Sequence, residues 1–290
     1  MSSVLADFTA QFAVEADGIE TPTTGRLVLR KDQLVLAATA DEQLAIPLSA
    51  VFDIRTGSVP QLFDPLPGTP VTVAFERAGG KEVALIATDE PTVRKFTTIL
   101  FKTILNGTHA TIKHPAKLGG RVLDAGFRSA VLAVERERLT FETGRGPVVV
   151  ALDGVIDFSR EQRTIDGLDR SVVVVDHVRT GDTITTVAAT DSARTLSVLG
   201  RYLRREYDKQ MATLRELSLS EAETELLTTL YSTGDRQVSL ASVLGTDPDQ
   251  IRKLLHALHE KGLVESGEHA PILTSTGQIV VTQYLERVNA

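Results

Sequence analysis

The chain has 290 residues, 42% of them hydrophobic and 24% charged, with a formal net charge of −7 and no cysteine. This composition is typical of a globular protein with two or three cores, and it excludes disulfides, thiolate metal sites and thiol nucleophiles. The negative charge argues against a nucleic acid as the main partner. No signal peptide is recognisable and no apolar stretch approaches the ~20 residues that span a bilayer, so we expect a cytoplasmic protein without membrane insertion.

The first part of the chain, from about Phe8 to Ala87, alternates short strand patterns with turn signals. Strands are expected at Gln11–Val14, Gly25–Arg30, Gln33–Ala38, Leu44–Ile54, Val71–Glu76 and Glu82–Ala87. A helical pattern follows, with Asp89 as its N-cap and Asn106-Gly107 at its end. Strands closed by one C-terminal helix indicate a small antiparallel barrel or sandwich, and the pleckstrin-homology-like fold has this order of elements.

The chain repeats this pattern about a hundred residues later. The segment Leu48-Ser49-Ala50-Val51-Phe52-Asp53 has a counterpart in Leu152-Asp153-Gly154-Val155-Ile156-Asp157. Strands of the second copy are expected near Ala130–Val134, Leu139–Thr143, Val148–Phe158, Ser171–Val178 and Thr183–Ala189. The helix of the second copy begins after Asp191 and keeps its apolar spacing until Ser218. We therefore expect a continuous helix of about 35 to 40 Å that serves as a stalk.

The residues from Ser220 onward indicate three helices, a ribbon and a closing helix. Ser220 and Glu223 form a capping box, Ser239–Leu244 is a short second helix, and Pro248 opens the third. Leu263-Val264 and Ile272-Leu273 flank a turn, and Thr274 caps the last helix. This order is that of a winged helix-turn-helix.

The predicted fold class is therefore α+β. It consists of two tandem pleckstrin-homology-like β-barrel or sandwich domains, each closed by a C-terminal helix, followed by a winged helix-turn-helix domain. The domains are expected at 1–107 and 108–200 for the two repeats, 201–219 for the helical stalk and 220–290 for the winged-helix domain.

Motifs that carry catalysis are absent from the sequence. No phosphate-binding loop of the type GxxxxGK[ST] or GxGxxG follows a strand, and there is no Gly-x-Ser-x-Gly elbow. His256 and His259 share a helix face without a third ligand, and Asp153 and Asp157 lie where turns favour Asp. We expect no enzyme activity, no catalytic residue, no metal site and no cofactor.

A winged helix raises the alternative of a DNA-binding transcriptional regulator. Residues 220–290 carry ten acidic and five basic side chains, and the recognition helix begins with Asp247 and Asp249. Because DNA affinity depends on the neutralisation of phosphates, this charge pattern favours a protein-binding winged helix over a DNA-binding one.

Two further patches are candidates for protein binding. The loop from Val59 to Pro70 contains four prolines and the apolar residues Leu62, Phe63 and Leu66; it is either a docking site or a loop folded back over its own barrel. The predicted stalk is rich in arginine and lysine, including Arg201 and Arg205, and is either a solvated helix face or a surface for an acidic partner.

The order of two β-rich repeats, a long helix and a winged-helix tail resembles the CheF family of archaeal taxis adaptors. The residues that carry the resemblance are Gly25-Arg26-Leu27-Val28-Leu29 and the segment from Ile46 to Ile54. The resemblance implies a dimeric adaptor at the base of the archaellum, which binds the phosphorylated response regulator CheY and the cytoplasmic ring of the motor. It also implies that CheY is received at the C-terminal tail.

The family supplies no motif for the CheY contact, so the receiving surface is inferred from the helices. A helical groove with a few basic side chains suits a CheY-type regulator. The candidate residues are those on the exposed side of the third helix and on the last helix: Arg252, Lys253, His256, His259, Gln283, Tyr284 and Arg287.

Overall fold

The computed structural model describes residues 3–15, 22–61, 63–135, 137–179, 182–233, 239–267 and 270–289. These ranges form an α+β architecture of two large antiparallel sheets, a two-stranded ribbon and several helices. The predicted fold class is confirmed at this level.

The first repeat is a seven-stranded antiparallel sheet followed by a helix. Its strands are β1 (Val4–Val14), β2 (Thr23–Arg30), β3 (Gln33–Ala37), β4 (Gln43–Pro47), β5 (Val51–Thr56), β6 (Thr69–Arg77) and β7 (Gly80–Thr88). Their spatial order is β4-β3-β2-β1-β7-β6-β5. Helix α1 (Glu90–Leu105) begins after Asp89, whose side chain accepts a hydrogen bond from the Thr92 amide at 3.0 Å, as the sequence predicts.

The second repeat has the same topology. Its strands are β8 (Thr108–Leu118), β9 (Arg121–Val122), β10 (Arg128–Val134), β11 (Arg138–Thr143), β12 (Gly146–Ala151), β13 (Val155–Ile165), β14 (Leu168–Arg179) and β15 (Asp182–Thr190). The order β12-β11-β10-β8-β15-β14-β13 matches that of the first sheet strand for strand, with β9 as an added short strand beside β8. The repeat predicted from the sequence is confirmed.

The recurring motif forms a turn in both copies, which corrects the prediction of one long strand in each. A 3-10 turn at Leu48–Ala50 separates β4 from β5, and one at Leu152–Gly154 separates β12 from β13. Leu48 donates its amide hydrogen to the carbonyl of Asp32 at 2.9 Å, and Leu152 donates to Glu137 at 2.8 Å. Strand-forming residues flank each three-residue turn closely on both sides, so the sequence pattern does not mark it.

Helix α2 (Ala193–Arg215) unites the two repeats. Its apolar stripe, with Leu199, Tyr202 and Leu203 almost fully buried, belongs to one core that includes residues of both sheets and of α1. The segment expected to be a stalk therefore packs against the body instead of standing free. The physical reason is that a continuous apolar stripe on a helix is stable in water only when another element covers it, and β5 lies against this one.

The C-terminal domain contains four helices and a ribbon within the described residues. The elements are α3 (Glu221–Thr233), α4 (Leu240–Leu244), α5 (Pro248–Glu260), β16 (Val264–Ser266), β17 (Pro271–Leu273) and α6 (Ser275–Asn289). The capping box is present: Ser220 donates its amide hydrogen to Glu223 at 2.7 Å, and Glu223 donates its own to the Ser220 hydroxyl at 3.3 Å. Thr274 caps α6 by accepting the Gly277 amide hydrogen at 3.0 Å.

Close backbone contacts fix α6 against the rest of the chain. A Cβ atom at Gly277 would lie 2.1 Å from the carbonyl oxygen of Leu263, so this glycine permits α6 to approach the ribbon. Ser275, at the start of α6, lies beside Gly154 in the 3-10 turn of the second repeat. Among the described residues, no helix is both long and apolar enough to cross a membrane.

Candidate partner-binding surfaces

The exposed side of α5 carries four of the predicted residues together. Helix α5 begins after Asp247, whose side chain accepts the Asp249 amide hydrogen at 2.7 Å. On the opposite side of the helix, Ile251 and Leu258 are buried in the core of the C-terminal domain. The structure leaves Arg252, Lys253, His256 and His259 all exposed. The sequence spacing alone places these four side chains on one face.

Two carboxylates modulate the charge of this α5 face. Arg252 forms an ion pair with Asp249 at 2.9 Å, and Nδ1 of His256 lies 3.7 Å from a carboxylate oxygen of Glu260. Both pairs are highly exposed, so solvent screens them and a binding partner can replace them at low cost. Within the described residues, no three acidic or histidine side chains are grouped as metal ligands.

The predicted residues of α6 divide between an internal contact and the surface. Gln283 is half-buried and its Nε2 lies 2.7 Å from the sulfur of Met211 in α2, so it joins the C-terminal domain to the body. Tyr284 is 43% exposed. The side chain of Arg287 lies outside the described part of the structure.

The proline-rich loop folds back on its own sheet. Leu66 is 7% exposed and packs with Leu85 and Ala87 of β7, while Val59 and Phe63 lie against this cluster. Leu62 lies outside the described residues. Phe63 and Leu66 thus pack within their own repeat, and a role of this loop toward a partner stays a prediction.

The two arginines predicted as a basic patch of the stalk contact the first repeat. Arg201 forms an ion pair with Asp53 of the recurring motif, at 2.5 Å between Nε and Oδ1. Arg205 donates to the hydroxyl of Thr98 in α1 at 2.9 Å and lies over the ring of Phe101, and burial lowers the pKa of its guanidinium. These side chains hold α2 against the body, and their role toward a partner stays a prediction.

Sequence reasoning missed Arg194, which binds the first repeat from the start of α2. Its guanidinium donates to the carbonyl of Ser49 at 2.8 Å and pairs with Glu76. This contact could not be predicted, because no pattern in the sequence shows that α2, the helix of the second repeat, packs against the first repeat. The only hint was that Ser49 belongs to the recurring motif.

A buried polar cluster in the second sheet also escaped the sequence analysis. Nδ1 of His114 and Nε2 of His177 lie 2.8 and 3.0 Å from the hydroxyl oxygen of Thr186. Burial lowers the pKa of both imidazoles to about 4, and the positive charge of Arg179 acts in the same direction on each. Both histidines are therefore neutral at pH 7. One hydroxyl donates one proton, so at least one imidazole donates its N–H to Thr186.

A groove of about 690 Å³ along α3 was likewise not predicted. It lies between α3, α4 and α6, and is lined by Leu219, Glu221, Thr224, Glu225, Thr228, Thr229, Ser232, Thr233, Val243 and Tyr284. The sequence did contain one indication of the groove: serine and threonine recur at helical spacing on one face of α3. Because these side chains are short, larger side chains of the neighbouring helices project beyond them.

The comparisons with known proteins agree on one family. The family model described as Archaeal Chemotaxis signal transduction system protein F matches residues 4–209. Taxis protein CheF2 of Halobacterium salinarum is 36% identical over 287 residues, which cover 99% of each chain. Taxis protein CheF1 of the same organism is 29% identical over 243 residues, covering 83% of this chain and 80% of CheF1.

The solved structures that were matched are only distantly similar. The hSac2 domain of human phosphoinositide phosphatase Sac2 aligns with 35% of this chain and 70% of its own, at 12% identity and a TM-score of 0.28. The C-terminal domain of an unknown protein from Leishmania infantum aligns with 36% of this chain and 85% of its own, at 12% identity and a TM-score of 0.27. Scores this low do not establish a shared fold.

The resemblance predicted from the sequence is confirmed by the match to the family and by the identity to CheF2 over the whole chain. The chain belongs to the CheF family of archaeal chemotaxis signal transduction proteins and has a role in archaeal chemotaxis.

Proposed function

We propose that this chain is a non-enzymatic adaptor between the chemotaxis system and the archaellum motor. Its C-terminal domain binds a phosphorylated CheY-type response regulator, and its two-sheet body binds proteins of the cytoplasmic ring of the motor. The observation that carries the proposal is the exposed α5 face with Arg252, Lys253, His256 and His259, on a domain of a chain that belongs to a chemotaxis family.

The proposal includes the finer description of the domains. The two sheets with α1 and α2 are taken as pleckstrin-homology-like units, residues 220–290 as a winged helix used for protein binding, and the working form as a homodimer. The order of strands followed by one helix in each repeat supports the first assignment, and the order α3, α4, α5, ribbon and α6 supports the second.

The charges at the start of α5 favour a protein over DNA as the partner. Asp247 and Asp249 are exposed at the end of the helix that would enter the major groove, and Glu265 is exposed on the ribbon. Carboxylates at these positions repel the phosphate backbone.

The test is charge reversal on the α5 face. Arg252→Glu combined with Lys253→Glu should weaken binding of CheY, loaded with a phosphate analogue, about tenfold or more, because basic anchors on this face would become repulsive. Titration calorimetry on the full chain measures the dissociation constant, and unloaded CheY serves as the comparison.

A matched control reverses two exposed cations of the second repeat, Lys117→Glu with Arg145→Glu. This variant makes the same change in net charge away from α5, so its affinity for loaded CheY should stay that of the original chain. Equal affinities for the original chain and the α5 variant, with both folded by circular dichroism, would overturn the assignment of this surface. An equal loss in both variants would show that only net charge matters.

A further inference from the structure

The groove along α3 has a floor that is more apolar than its sequence indicates. Each of its hydroxyl side chains donates to a main-chain carbonyl one turn earlier in the helix: Thr224 to Ser220, Thr228 to Thr224, Thr229 to Glu225, Ser232 to Thr228 and Thr233 to Thr229, at 2.8 to 3.0 Å. Because these hydroxyl protons bond within the helix, the threonine methyl groups form much of the surface that a partner meets.

The walls of the groove expose large apolar side chains. Val243 of α4 is 51% exposed and Tyr284 of α6 is 43% exposed, and the half-buried Leu219 lies at the end where α3 begins. Large apolar side chains that gather around a concavity mark a docking surface more often than isolated ones do. Tyr284 is also suited to bury its ring while keeping its hydroxyl at the rim.

One end of the groove is acidic. Glu221 and Glu225 are both exposed and line it, and neither carboxylate forms an ion pair with another of the described residues. The third carboxylate of this helix, Glu223, points away and binds Lys261 at 2.6 Å. Burial raises the pKa of Glu223, but the hydrogen bonds from Lys261 and Ser220 outweigh this effect and the net direction is downward. The groove thus combines an apolar floor and walls with free negative charge at the start of α3.

The length of the groove indicates what kind of partner segment it can hold. Helix α3 has 13 residues, so the groove follows about 20 Å of helix, which is the length of three to four turns of a second helix. An apolar ridge with i, i+4 spacing would lie on the threonine floor between Val243 and Tyr284. Lysine or arginine at one end of that ridge would meet Glu221 and Glu225.

We propose that this groove binds an amphipathic, basic helix of a protein partner, three to four turns long, with its cationic end at Glu221 and Glu225. The inference goes beyond the proposed function, because it assigns a second surface with the opposite charge preference to α5, and it does not depend on CheY binding.

The test uses a synthetic helical peptide as probe, with leucines at i, i+4, i+7 and i+11 and lysines at one end. Fluorescence anisotropy with the full chain should give saturable binding in the micromolar range at 0.15 M salt. Glu225→Lys should weaken the binding at least tenfold by reversing the charge at one end, and Thr228→Arg should do so by filling the floor. A peptide in which glutamates replace the lysines should bind at least tenfold more weakly than the lysine peptide.

The control is Tyr231→Ala, which removes a 45% exposed aromatic side chain of the same helix that does not line the groove. Its affinity for the basic peptide should equal that of the original chain, and circular dichroism melts should show that all variants fold. Equal binding to the original chain and to Thr228→Arg would overturn the proposal. The proposal would also be overturned if Thr228→Arg converted a dimer into a monomer without changing peptide binding. In that case the groove would bind a second copy of this chain. CheY loaded with a phosphate analogue is titrated in parallel. Its affinity tests the proposed function, so the two proposals can fail independently.

Discussion

At the scale of single residues, the buried pair His114 and His177 links the stability of the second repeat to pH. Both side chains are neutral in the folded chain because burial lowers their pKa from 6.5 to about 4. In the unfolded chain they bind protons with the ordinary pKa. The stability that the neutral pair contributes is therefore fully present above pH 6.5 and is lost as the pH falls from 6.5 to about 4.

We expect the free energy of unfolding to fall by up to about 3 kcal/mol for each histidine across this range. His177→Gln should flatten the fall, because glutamine keeps a polar group near Thr186 but does not titrate. Urea unfolding of the original chain and the variant at pH 7 and pH 4.5 measures the difference. The exposed His109 on β8 supplies the control His109→Gln. An unchanged pH dependence in His177→Gln would contradict the account of this cluster.

This cluster could not be predicted from the sequence, because nothing in the sequence indicates that its three residues meet. His114, His177 and Thr186 lie on three different strands, and their meeting depends on the registers of β8, β14 and β15. By contrast, the caps at Asp89, Ser220 and Thr274 were predicted correctly because the signal is local: one side chain and the next turn of helix decide it.

At the scale of elements, α2 is the part of the chain that the sequence predicted least completely. Its continuity was evident from apolar residues at helical spacing, and the helix is indeed uninterrupted from Ala193 to Arg215. Where this stripe is buried was not evident, since a stripe shows that a helix needs a partner but not which one. The turns at Leu48–Ala50 and Leu152–Gly154 were missed because each spans only three residues and has strand-forming residues close on both sides.

The packing of α2 on the first repeat should be measurable as a coupling between Arg201 and Asp53. We expect a double-mutant cycle with Arg201→Gln and Asp53→Asn to give about 0.5–1 kcal/mol of interaction in the free energy of unfolding. The value is modest because Arg201 is 38% exposed and water screens the pair. Urea denaturation of the four chains supplies the four free energies.

The pair Arg94 and Glu90 on α1 is the control for this cycle. Both side chains lie on one helix and are more than half exposed, so their coupling should be about 0.3 kcal/mol. If the Arg201 cycle gave no more coupling than this pair, the ion pair across the repeats would not contribute to holding α2 in place.

At the scale of the whole molecule, the chain consists of a fused two-sheet body and a C-terminal helical domain. One core joins the sheets, α1 and α2, while the contacts from α6 to Met211 and to the turn at Leu152–Gly154 join the second part to the first. Duplication was predicted from one six-residue motif and its surroundings. The fusion was not, because it arises from contacts between residues more than a hundred positions apart.

The central proposal is that the two parts bind different partners at the same time. The most direct measurement is light scattering on a size-exclusion column, with the full chain, CheY loaded with a phosphate analogue, and purified ring proteins of the motor. We expect one peak whose mass includes all three components, and its loss when Arg252→Glu and Lys253→Glu are introduced. Two separate binary peaks with no ternary species, at concentrations above both dissociation constants, would contradict the adaptor account.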